Sequence, residues 1–419
     1  MTTTGPLWRN RDFLLLQAGQ LLSSFGSNMS QIAYPLLVLA VTHSAAKAGY
    51  VSAVLFTPML AFNLVAGVAA DRFERRRLMI SSDIAAAAAV ATLAAAVLEH
   101  SVALWLILVV AFVDSTSGVF FRAAQSGAFR AVVPLAQLPA AASAAQARGA
   151  TVLLAAPPAG GALFAVARAL PFLADAFSYM FSTASLLLMR TRFQEARERE
   201  RALIRRQLGE GISFFVRMPF LRTTVLMIAV SNFTIGGIQL AVIILAKRHG
   251  LSSAAVGALV ALIGVTTLLG SVASPLLRRI LTLRAILLSE FWAALVYVAF
   301  LVRPNVYVLA VAFAVQAFCF PNTDAAVAAY SYALIPDRLL GRAMSVSSTL
   351  RVLGAPLGPL AAGLLLATTS PRIAVAALAG ATIAVASLGT LTRSIRELPP
   401  LAELTVAAPA EAATLEPPA

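Results

Sequence analysis

The chain is poor in the residues that build soluble sites. Its 419 residues include one cysteine, Cys319, and three histidines, His43, His100 and His249. A single cysteine excludes an internal disulfide framework and a cysteine-based zinc site. The histidines are scattered, fall in expected outer loops, and predict no metal centre. Charged residues make up only 12% of the chain, against roughly 25% in ordinary soluble domains. Lys47 and Lys247 are the only lysines, and neither stands in a Gly-Lys-Ser/Thr sequence. That excludes a P-loop and ATP hydrolysis by that route. The chain also lacks Gly-x-Ser-x-Gly and His-Glu-x-x-His, so neither catalysis nor a cofactor is expected.

What the chain does have is apolar length. Hydrophobic residues are 60% of the total, more than a soluble surface can hide. A membrane helix needs about 20 apolar residues to cross a hydrocarbon core of roughly 30 Å. Twelve runs qualify: 13–41, 46–70, 78–98, 102–121, 149–168, 170–190, 221–246, 253–276, 284–302, 305–330, 343–369 and 371–392. The first is too long for a cleaved signal core and leads straight into a second span, so it reads as an uncleaved anchor.

The formal charge of +14 raises nucleic acid as a partner. The basic residues lie between apolar runs, which is the pattern of cytoplasmic loops instead. Placing both termini and every even-numbered connection inside puts 26 of the 32 basic residues there and leaves 6 outside. A multi-pass inner (cytoplasmic) membrane protein with both termini cytoplasmic is therefore expected. Residues 191–220 form the longest polar stretch, with Glu195 and Arg199 at helical spacing, and read as a linker with a surface helix. Residues 396–419 lack apolar periodicity and read as a disordered tail.

The two halves repeat. At a shift of 202, Val133-Pro134 meets Ile335-Pro336, Pro157 meets Pro359 and Gly161 meets Gly363; nearer the start the shift is 208, with Gly49 on Gly257. The expected fold is all-α and polytopic: a six-helix bundle at 1–190, the linker, and a second pseudo-symmetric bundle at 221–395. Parallel duplications of this kind place a substrate site between the halves.

Three motifs carry mechanism. After the second span, Gly67 precedes Asp71, Arg72, Glu74, Arg75 and Arg76. Asp71 stands at a helix C-terminus, where the macrodipole disfavours an anion, so a partner must hold it. The fifth span carries Ala156-Pro157-Pro158-Ala159-Gly160-Gly161, and the eleventh repeats it as Gly358-Pro359-Leu360-Ala361-Ala362-Gly363. Proline kinks a helix and glycine permits close contact. The third is Gln17–Ser27 followed by Ala33-Tyr34-Pro35. Together these resemble the major facilitator superfamily over essentially the whole chain, and within it the branch of enterobactin exporters and macrolide efflux pumps. Glu74 departs from the loop motif, which has glycine there, and Ala156 replaces the first glycine of the antiporter motif. The resemblance implies that Asp71 latches onto the start of the eleventh helix near Gly341 and Arg342, with Gly67, Arg72, Arg75 and Arg76 as the rest of that device. It also implies an antiporter-like kink.

Acids inside a membrane are functional by default. Asp114, Glu290, Asp324 and Asp175 all fall within spans and are candidates for proton coupling, Asp114 first; Asp83 lies near the inner face and reads as a brace for the loop. Each acid has a structural alternative, fixation by an arginine or by helix donors. Asn28, Gln31, Tyr34, Asn63, Gln125, Asn232, Gln239 and Gln316, with Asn322, are candidates to line a central cavity. Three functions compete: proton-coupled efflux of a small, largely apolar compound such as a drug, siderophore or secondary metabolite; uptake of a nutrient; and a membrane scaffold or sensor. The first is favoured, by a monomer using the proton gradient, with lipid and the transported molecule as its other partners.

Overall fold

The structure, a computed structural model, describes residues 7–191, 193 and 212–398, apart from the side chains of 337, 338, 341 and 342. The expected linker helix and the tail lie largely outside these residues. Long helices run as α1 (Arg11–Thr42), α2 (Ala45–Arg72), α3 (Arg75–Leu98), α4 (Leu104–Val132), α5 (Leu138–Val166) and α6 (Leu170–Leu188) in the first half. The second half holds α7 (Pro219–Arg248), α8 (Ser253–Ile280), α9 (Leu283–Val302), α10 (Val306–Leu334), α11 (Asp337–Arg351, continuing as Gly354–Thr368) and α12 (Pro371–Leu391). No strand occurs among the described residues.

Ten of these helices are long and apolar enough to cross a membrane, against twelve expected spans. The two that fall short, α1 and α6, do so because they are polar. Gln17, Gln20, Ser23, Ser27, Asn28 and Ser30 stand on one, and Asp175, Ser178, Ser182, Thr183 and Ser185 on the other. They pack extensively against each other. Gly19 and Gly26 make that possible: a Cβ at Gly19 would lie 3.1 Å from Ser185 Cβ, and one at Gly26 would lie 2.6 Å from Asp175 Oδ1. Their polar groups face protein rather than lipid, as intramembrane polar groups must.

Local chemistry sets the helix ends. Asn10, Ser44, Thr282, Asn305 and Ser370 cap α1, α2, α9, α10 and α12, each side chain accepting a first-turn N–H. Such caps satisfy orphan donors. His43 and His100 take left-handed conformations, φ 51° and 55°, just past the ends of α2's and α4's preceding helices.

Four helices depart from the sequence reading. α4 runs on to Val132, past the expected end at 121. α5 starts at Leu138, not 149; its first turns are alanine-rich and helical without being apolar enough to mark a span. α9 tightens into a 3-10 turn at Ala294–Tyr297. α11 breaks at 352–353, where Gly354 packs onto α7, its Cβ position 2.8 Å from the Phe233 N.

The chain divides into two compact units. The first comprises Met1–Glu198, Gln239–Gly264 and Pro359–Thr368; the second comprises Arg199–Ile238, Val265–Gly358 and Thr369–Ala419. Contact thus groups the end of α7, the start of α8 and the end of α11 with the first half of the sequence. Phe13, Leu16, Met79 and Leu186 anchor one apolar cluster in the first unit. Phe220, Leu287, Phe291 and Tyr330 anchor the second unit.

Candidate functional site

The first unit buries a carboxylate at its centre. Asp114 stands ten residues into α4, roughly 15 Å along it at 1.5 Å per residue, and is 7% exposed. Tyr34 of α1 donates to its Oδ2 at 3.0 Å and Tyr179 of α6 to its Oδ1 at 2.6 Å. Tyr179 also shares a 2.9 Å hydrogen bond with Ser27. Phe172 packs edge-on against Tyr34, ring centroids 5.2 Å apart, and fixes it. Arg122, two turns further along α4, folds back over Gly118 and lies within electrostatic reach of Asp114 and Tyr179. It forms no ion pair with Asp114 among the described residues.

Two more acids surround this centre. Asp175 of α6 is fully buried; Ser178 donates to its Oδ1 at 3.3 Å, and its Oδ2 has no partner. Asp83 of α3 is 2% exposed and lies within electrostatic reach of the Ser182 hydroxyl of α6, with its Oδ2 also unpartnered. Asp83 therefore faces α6 inside the unit and does not brace the loop, as had been expected from its place near a helix end. Sequence reasoning also missed Tyr179, Ser178 and Ser182. The available signal was their spacing: Asp175, Ser178, Tyr179, Ser182 and Ser185 fall on one helical face.

The second unit treats its acids differently. Glu290 of α9 is 1% exposed and accepts from Ser231 of α7. Asp324 of α10 pairs with Arg351 at 3.1 Å, its own side chain 58% exposed. A carboxyl so placed is the arginine-fixed alternative weighed above. Gln316 is fully buried and accepts from Tyr297 at 2.6 Å; Asn322 donates to the Gly270 carbonyl at 3.0 Å. Both bind helices together. Asn232 donates to the Arg351 carbonyl beside the α11 break at 2.9 Å.

Of the other cavity candidates, Gln31 and Asn63 are exposed, while Gln125 and Gln239 are half-buried. Asn28 turns back onto its own helix, donating to Ser24 O. At the loop motif, Asp71 is exposed and pairs with Arg75 at 3.7 Å, while Arg76 donates to Leu187 O at 2.7 Å. Arg72 is exposed. A Cβ at Gly67 would meet open space. The side chain of Arg342 lies outside the described residues.

The kink motif makes close backbone contacts in the first unit. Within that unit, Gly161 of α5 meets Gly257 of α8, the Gly161 Cβ position 3.0 Å from Gly257 Cα; Gly49 of α2 meets Gly363 of α11 at the same 3.0 Å. A Cβ at Gly257 would lie 2.5 Å from Pro157 O, and one at Gly49 would lie 2.9 Å from Pro359 O. The two contacts are copies of each other under the internal repeat. Gly160 packs on Met29 of α1 and Gly358 on Phe233 of α7.

Known proteins share this fold. Residues 1–415 match the transmembrane secretion effector family, part of the major facilitator superfamily. The chain belongs to that family. A 128-residue stretch is 33% identical to macrolide efflux protein A of Streptococcus pyogenes, covering 30% of this chain and 31% of that protein. An 83-residue stretch is 41% identical to the multidrug efflux pump Tap of Mycobacterium tuberculosis, covering 20% of each. These matches span a third or less of the relatives' length. The fold is similar to that of a bacterial homologue of the human lysosomal transporter Spinster, at a TM-score of 0.68 and 16% identity over 98% of this chain and 96% of that one. The chain is thus a multi-pass membrane protein of this family with the major facilitator fold.

Proposed function

We propose that the chain exports a small, largely apolar compound in exchange for protons, by alternating access in the cytoplasmic membrane, as a monomer with both termini inside. The efflux relatives support the direction. The observation that carries the coupling is Asp114, buried mid-span and held by two phenols. An ionised carboxylate accepts both hydroxyl groups. Once protonated it must itself donate one hydrogen bond, and one tyrosine contact has to rearrange. Tyr179 has a second partner ready in Ser27. Proton binding at Asp114 therefore changes how α1 and α6 are held against α4. Asp71 and Arg342 would supply the inner latch, and the glycine pairs of α2, α5, α8 and α11 a contact that closes and opens with the cycle.

The driving force suffices. One inward charge contributes about 2.3 kcal/mol per 100 mV, enough for roughly a fifty-fold gradient of a neutral solute at 1.4 kcal/mol per tenfold. The test uses everted membrane vesicles, acidified inside, with erythromycin and a panel of fluorescent lipophilic dyes. Wild-type vesicles accumulate at least one compound, a protonophore abolishes it, and Asp114→Asn protein of equal abundance fails to do so. Accumulation by Asp114→Asn at the wild-type rate removes Asp114 as carrier. Accumulation only in right-side-out vesicles would establish uptake instead.

A further inference from the structure

The proton-coupled reading needs a route by which protons reach a buried Asp114, and the first unit holds the parts of one. Six buried polar atoms there lack a hydrogen-bond partner among the described residues; besides Arg75 Nε, they belong to four side chains: Gln20 Nε2 and Oε1, Asp83 Oδ2, Asp175 Oδ2 and Thr183 Oγ1. All four side chains are at most 6% exposed. Buried polar atoms of this kind take ordered water as their partner.

The three acids of this unit stand at different depths. Asp175 is five residues into α6, roughly 8 Å from its start; Asp114 is roughly 15 Å into α4; and Asp83 is eight residues into α3, which runs the other way, roughly 12 Å from its start at the arginine-rich end. A hydroxyl stands beside each acid: Ser178 donates to Asp175, Tyr34 and Tyr179 donate to Asp114, and Ser182 lies within electrostatic reach of Asp83. Tyr34 and Tyr179 each lie within electrostatic reach of both Asp114 and Asp175, and Asp83 within reach of Asp175. Arg122 is the cation that bears on this set, and none of the three acids forms an ion pair among the described residues. A buried acid without a counter-ion takes up a proton rather than stay charged.

We propose that Asp175, Asp114 and Asp83 form a proton relay inside the first six-helix bundle, with Asp175 as the outer entry, Asp114 as the carrier and Asp83 as the inner exit. This deepens the proton-coupled export reading and rests on it. Each hop moves one proton from a carboxyl to a neighbouring hydroxyl or water oxygen, while that oxygen's own proton passes to the next acceptor. No other bond changes. The route runs through the bundle interior, so protons need not share a path with the transported compound.

Infrared spectroscopy of the purified full-length protein in lipid nanodiscs tests this without a known substrate. The protonated-carboxyl band that disappears in Asp114→Asn belongs to Asp114. On transfer to D₂O its exchange should slow at least tenfold in both Asp175→Asn and Asp83→Asn, and Asp175→Glu should restore it. Ser182→Ala, which keeps both acids, should slow it more mildly and guards against misfolding in Asp83→Asn. Unchanged exchange in Asp175→Asn and Asp83→Asn overturns the relay, and so does the absence of any carboxyl band lost in Asp114→Asn. Slowed exchange, together with no proton-driven accumulation of any tested compound by wild-type vesicles, keeps the relay and overturns the export reading; proton-driven export by Asp114→Asn at the wild-type rate overturns Asp114 as the relay's carrier.

Discussion

The two units bury acids to different ends. In the first, Asp114 is held by phenols, and Asp83 and Asp175 each keep one oxygen without a partner. In the second, Glu290 is held by Ser231 and Asp324 by Arg351, and the irregularity is in the backbone, at the 3-10 turn of α9 and the break in α11. The two halves of the sequence are related by the internal repeat. One unit gathers buried acids held by hydroxyls and phenols; the other holds one buried acid by a hydroxyl, pairs another with arginine, and breaks its helices. If Asp114 carries the proton as proposed, the fold divides labour, chemistry in the first unit and shape change in the second.

The sharpest way to break that division is to remove one acid from each copy. Asp114→Asn should lower proton-driven vesicle transport by about a hundredfold, the scale of a lost proton-transfer group. Glu290→Gln should keep it within about threefold. Equal losses would show that the second copy carries protons as well.

Close packing provides the next contrast. Gly161→Leu or Gly363→Leu forces a side chain into a backbone contact and should cost about 1–3 kcal/mol, read as a lower melting temperature with reduced export. Gly380→Ala in α12, where a Cβ meets open space, should leave melting unchanged or raise it slightly.

Asp12, at the start of α1 and ahead of the expected span, sharpens the comparison at the membrane edge. Burial pushes its carboxyl up, but hydrogen bonds from the Thr191 side chain and N–H, from the Arg190 N–H, and the Arg11 charge outweigh this and hold it below the ordinary carboxylate range. A depressed value means that the stabilisation is complete above the unfolded value near pH 4 and is lost as pH falls through the lower folded value. Melting of the wild type should therefore fall below about pH 4. Asp12→Asn should lose about 1 kcal/mol at neutral pH and show a flatter acid limb.

The smallest effect belongs to the ion pair. Asp324 is more than half exposed, so Asp324→Asn should change stability by at most about 1 kcal/mol. A larger drop in melting temperature would mean that Arg351 depends on it as a buried charge does.

By itself the sequence determined the class. Apolar runs of membrane length, arginines concentrated in alternate connections and matching Pro and Gly positions in two halves can be read along the chain, because lipid imposes rules on each helix separately. Asp114 stood out for the same reason, as an acid at mid-span. Which residues met it was decided by the tertiary structure. Tyr34 and Tyr179 lie 145 positions apart, and only the packing of α1 and α6 around α4 brings both hydroxyls to one carboxyl. Repeat-related glycines could be aligned from sequence, but that Gly49 seats on Gly363 and Gly257 on Gly161 depends on how helices cross. Pairing between helices is a property of surfaces in contact, and a linear pattern holds the surfaces without their partners.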